Sequence, residues 1–74
     1  MTFKMIEEWW GRKWILIVKN YKGQVVQDPN GNGFYWNVEE DGEIVVSGCE
    51  PSPFEAMGYI RATITTYSGG EAIA

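Results

Sequence analysis

Residues 28–39 read DPNGNGFYWNVE and match the calcium-loop pattern D-x-[DN]-x-[DN]-G-x5-E. Asp28, Asn30 and Asn32 occupy the first, third and fifth positions, Gly33 the sixth and Glu39 the twelfth. Such a loop must curl so that its twelfth residue returns to the ion held by the first, and it needs a helix on either side. The flanks argue against both. KNYKGQVVQ, with its glycine and paired valines, is a poor entering helix, and FYWNVE runs straight into the turn former Asp41-Gly42. If residues 33–39 are extended at about 3.3 Å per residue, Glu39 lies roughly 20 Å along the strand, far beyond calcium–oxygen reach. The expected reading is therefore a turn feeding a strand, with no metal site. The weaker alternative is an ion held by Asp28, Asn30 and Asn32 alone.

No other set of side chains points to catalysis or to a cofactor. The chain lacks histidine, the usual general base and transition-metal ligand. Cys49 stands beside Glu50 and has no neighbouring base in sequence to activate it. Glu39, Glu40, Asp41 and Glu43 crowd one hairpin tip, which is ordinary for an exposed turn. A non-enzymatic protein is expected, with no catalytic residues and no cofactor.

The elements that position these residues follow from the apolar pattern. Residues 1–12 form an N-terminal segment, and TFKMIEEWW suits a short helix with Thr2 as N-cap and Gly11 past its end. Residues 14–49 read as a small antiparallel sheet of three or four strands: Trp14–Asn20, Gln24–Gln27, Phe34–Glu39 and Glu43–Cys49. Two registers compete in the last hairpin. A two-residue Asp41-Gly42 loop sends Ile44 and Val46 away from Phe34 and Trp36. A three-residue Glu40-Asp41-Gly42 loop pairs Glu39 with Glu43 and Val38 with Ile44, gathering Phe34, Trp36, Val38, Ile44 and Val46 on one face. The segregated register is the expectation. Residues 53–68 form a helix with Ser52 as N-cap, Pro53 in its first turn and Glu55 completing a capping box. Its stripe Ala56, Ile60, Thr63, Ile64 and Tyr67 should pack on the sheet, Gly69-Gly70 should end it, and residues 69–74 form a tail. The fold class is α+β, a single small domain with the helix on one sheet face.

One helix covers one face. The other should show Ile15, Ile17, Val25, Tyr35 and Val45, open to a partner unless the N-terminal Trp9 and Trp10 fold over it. Charge supplies a second signal. Of 74 residues with net charge −4, Lys4, Arg12, Lys13, Lys19 and Lys22 precede residue 28, whereas Arg61 is the sole cation after it. Arg12, Lys13, Lys19 and Lys22, with aromatic residues nearby, form the candidate nucleic-acid set, in the manner of other sheet-based DNA readers. The acidic second half favours protein instead. The expected role is a small interaction module that binds another protein, or a second copy of itself as a homodimer, through the open face or the acidic hairpin. Short acidic chains of this build are frequent among phage and mobile-element accessory proteins that inhibit host macromolecules. No apolar run is long enough to span a bilayer, the longest being WILIV, and Glu7 and Glu8 interrupt any leader-like segment. A cytoplasmic location is the corresponding expectation.

Overall fold

The computed structural model describes residues 3–8 and 11–69. Five strands form one antiparallel meander in chain order: β1 (Lys4–Glu8), β2 (Gly11–Val18), β3 (Tyr21–Gln27), β4 (Phe34–Glu40) and β5 (Glu43–Glu50). A single helix, α1 (Pro53–Tyr67), packs against β3, β4 and β5. The α+β class is as expected, with five strands in place of three or four.

The additional strand replaces the expected N-terminal helix. Lys4–Glu8 pairs with β2 from Lys4 opposite Ile15 to Glu8 opposite Gly11. Two helical turns are marginal without tertiary support, whereas one β-strand beside an existing edge gains a ladder of backbone hydrogen bonds at once. Phe3 packs on the core margin, and the Arg61 guanidinium of α1 sits 4.8 Å above its ring. Thr2, the assigned N-cap, and the tail 70–74 lie outside the described residues.

Two-residue turns set the registers. Val18 pairs with Tyr21 across Lys19-Asn20, so β3 begins earlier than the expected Gln24 and absorbs the turn assigned to Asn20–Gly23. Asp41 (φ 53°) and Gly42 (φ 86°) both take positive φ, the geometry whose twist matches a hairpin. Glu40 therefore pairs with Glu43 and Glu39 with Ile44, which corrects the three-residue loop. A bulge then shifts the register between Val38 and Glu39, so that Val38 faces Val46 and Trp36 faces Gly48. Val46 accordingly joins Phe34, Trp36 and Val38 on the helix side. Ile44, ahead of the bulge, points the other way and is 62% exposed, contrary to its assignment to the core face.

The core consists of Leu16, Val18, Tyr21, Val25, Trp36 and Val38 beneath Ala56, Met57, Ile60 and Ile64. The helix starts as its sequence implies: Ser52 Oγ accepts from the backbone N–H of Phe54 and Glu55 at 3.1 and 3.4 Å, with Pro53 in the first turn. Gly69 ends it at φ 80°. Of the expected stripe, Ala56, Ile60 and Ile64 are buried, Thr63 is half-buried, and Tyr67 is largely exposed while Met57 takes its place in the core. The Tyr67 carbonyl nevertheless ties the helix end down. The Tyr21 hydroxyl lies 2.9 Å from that carbonyl and 3.0 Å from Glu40 Oε2, placing its one proton between two acceptors.

Two glycines have opposite roles. A Cβ on Gly23, in the middle of β3, would lie 2.2 Å from Ile60 Cγ2, so α1 rests on bare backbone there. Gly58, mid-helix, has open space around it and no packing reason to lack a side chain. Gly23→Ala should lower stability by about 2–3 kcal/mol through overpacking, and Gly58→Ala should raise it by about 1 kcal/mol through helix propensity. Urea unfolding followed by tryptophan fluorescence measures both, and a pair of shifts in the same direction would contradict this packing.

Candidate functional site

The calcium pattern resolves into a closed polar turn. Asp28 is buried (6% exposed), and its two carboxylate oxygens are each taken by backbone: Oδ1 accepts from Asn30 N–H and Oδ2 from Asn32 N–H, both at 3.1 Å. Its own N–H donates to Gly33 O and its carbonyl accepts from Gly31 N–H. Gly31 and Gly33 have φ of 76° and 114°, positive values of the kind that Asn-Gly pairs favour. Glu39 stands opposite Lys22, five residue pairs beyond the Gln27–Phe34 pair that flanks the turn, or roughly 17 Å along the ladder. It cannot share an ion with Asp28. Among the described residues no group of three or more Cys, Asp or Glu side chains converges as metal ligands.

The more informative surface is the sheet face opposite α1. With Leu16 and Val25 turned to the helix, strand alternation sends their neighbours to the other side, and the pairings order them in three rows. Ile17, Lys22, Glu39 and Ile44 form the row nearest the acidic β4–β5 turn. Ile15, Gln24, Asn37 and Ser47 form the middle row. Lys13, Val26, Tyr35 and Cys49 form the third. Ile17, Tyr35 and Ile44 are 64%, 51% and 62% exposed, while Ile15 and Val26 are half-buried by neighbours. Lys22 and Glu39 place opposite charges across one pair, which favours the observed register. At the centre, Asn37 Oδ1 is buried with no hydrogen-bond partner among the described residues.

The sequence-assigned partner residues divide accordingly. Ile15, Ile17 and Tyr35 do lie together on this face. Val25 does not: it is fully buried under the helix, because it falls opposite Trp14 and Trp36, which are on the helix side of β2 and β4. Val45 is half-buried at the bulge and packs against the core. Trp9 and Trp10 lie outside the described residues. Ile44 and Val26 join Ile15, Ile17 and Tyr35: Ile44 faces out because the two-residue Asp41-Gly42 turn, the register not expected, pairs it with Glu39, and Val26 because it pairs with Tyr35. The candidate nucleic-acid set is dispersed as well. Lys13 and Lys22 reach the open face, Arg12 belongs to the helix-side parity of β2, and Lys19 sits in a turn. Cys49 is exposed on β5, with its Sγ 4.0 Å from Asn32 O. No protein-family model, curated protein or solved structure matches the chain. No described helix is long and apolar enough to cross a membrane.

Two outcomes follow. Asp28→Ala, which removes both amide acceptors from a buried position, should cost about 2 kcal/mol in urea unfolding. Asn37→Val should raise stability by about 1 kcal/mol, since a β-branched side chain replaces an unsatisfied polar atom in a central strand. A loss of stability on that exchange would mean that Asn37 is satisfied in solution.

Proposed function

We propose that this protein is a small non-enzymatic interaction module that binds another protein through the sheet face left open by the helix, continuing onto the acidic β4–β5 hairpin. The carrying observation is that, among the described residues, the one helix covers one face of the sheet and no element covers the other. Ile17 and Ile44 flank the Lys22–Glu39 pair on the uncovered side, both more than half exposed. Large apolar side chains in one exposed row mark contact surfaces. That row ends beside Glu40, Asp41 and Glu43, so an apolar strip meets an acidic rim.

Magnitude bears on the kind of partner. Five strands spaced about 4.8 Å apart, each some 20 Å long, give a face on the order of 500 Å². A standard stable complex buries about 800 Å² per partner. The face alone is small for an obligate homodimer and suits a partner that also reaches the hairpin. This favours a heterologous contact over self-association.

Ile17→Ser combined with Ile44→Ser should leave stability within about 0.5 kcal/mol, because both sites are exposed. It should abolish capture of the partner from an extract of the native host, compared with wild-type protein at equal loading. Unchanged capture would remove the open face from consideration. Lys13 and Lys22 share this face with Tyr35, which defines the nucleic-acid alternative. Oligonucleotide binding that falls steeply with salt and disappears in Lys13→Glu/Lys22→Glu would favour that reading instead.

A further inference from the structure

A groove on the opposite side of the molecule, between the outer surface of α1 and the end of β5, has a chemistry of its own. It is shallow and open to solvent, offers about 400 Å³, and is lined by Glu50, Glu55, Gly58, Tyr59 and Ala62. Gly58 and Ala62, one helical turn apart, leave an apolar floor with little side chain. Tyr59 forms a wall and is held in place by Trp36, on which it stacks at 5.8 Å with the rings within 3° of parallel. Glu50 is fixed from behind, since Trp36 Nε1 donates to its Oε2 at 3.1 Å. Glu55 projects from the first turn of the helix and is exposed.

We propose that this groove binds an arginine side chain presented by a basic segment of a partner protein. The alkyl stem would lie over Gly58 and Ala62, and the guanidinium would sit between the carboxylates of Glu50 and Glu55, against the Tyr59 ring. Charge complementarity carries the choice of occupant. Residues 28–74 contain a single cation, Arg61, which is turned to the other flank of α1 and engaged over Phe3. The acidic half therefore offers two carboxylates and an aromatic face to a cation, and none of the residues that line the groove is itself cationic. Arginine fits better than lysine because its planar, weakly hydrated head both stacks and forks toward carboxylates. The glycine supports the same reading. Gly58 weakens the helix, nothing packs on it, and its effect is to keep the groove floor clear.

The test titrates the full chain, labelled with 15N, with an acetylated, amidated pentapeptide carrying a central arginine, and with its glutamine counterpart. The arginine peptide should bind about fivefold more tightly, the scale of one exposed cation–π contact with an ion pair. It should shift the amides of Gly58, Tyr59 and Ala62 and the Trp36 indole N–H. Glu55→Gln should reduce that binding severalfold. Gly58→Leu, which fills the floor, should abolish it while raising the melting temperature, separating loss of the groove from loss of the fold. Equal binding of both peptides, shifts confined to other surfaces, or wild-type binding by Gly58→Leu would each overturn the proposal. All these variants leave Ile17 and Ile44 intact, so the outcome is independent of the open sheet face.

Discussion

The structure turns on the seating of Ile60 against Gly23. A helix approaches a sheet as closely as the side chains between them allow, and here β3 presents none at the contact. Leu16 and Val38, the cross-strand neighbours of Gly23, close around Ile60 from either side and are almost wholly buried. A second small residue has a similar role two strands over, on β5, where the Trp36 indole lies across Gly48 too closely to admit a Cβ. Trp36 is thereby held flat, positioned both to meet Tyr59 from the helix and to donate to Glu50. One close approach thus sets the helix position, and the helix position sets the groove beside β5.

That seating also explains why one face stays open. A fifteen-residue helix centred over β3 and β4 reaches β5 on one side and places the Arg61 guanidinium over Phe3 on the other. No second helix is present among the described residues to cover the reverse face. Its apolar side chains, Ile17, Tyr35 and Ile44, are left among polar neighbours.

The meander gives the charge pattern a spatial meaning. Because strand order follows chain order, the excess of cations before residue 28 falls on β2, β3 and the turn between them, and the excess of anions after it on the β4–β5 side. The two candidate surfaces sample this gradient differently. The open face spans it, with Lys13 and Lys22 toward one side and Glu39 toward the other. The groove lies wholly on the acidic side, which is why a cationic side chain suits it and an anionic one does not.

Local physics made much of this legible from sequence. Ser52-Pro53 and the Ala56, Ile60, Ile64 spacing specify the helix, because capping and periodicity act within a few residues of one another. The Asn-Gly pairs after Asp28 specify a turn, because positive φ is a property of single residues. The match to a calcium loop failed for the same reason that the strand reading succeeded: Phe34, Trp36 and Val38 alternate, and an extended chain carries Glu39 away from Asp28. What only the tertiary structure decided depends on distant partners. Lys4–Glu8 is a strand because β2 offered an edge. Ile44 is outside and Val46 inside because a bulge beyond the turn restored the core register. Val25 is buried because it pairs with Trp14 and Trp36 on the helix side, and the side chain that faces Gly23 comes from a helix 37 residues later in the chain. Turns and caps are written residue by residue, whereas pairing, register and close approach are properties of two segments at once.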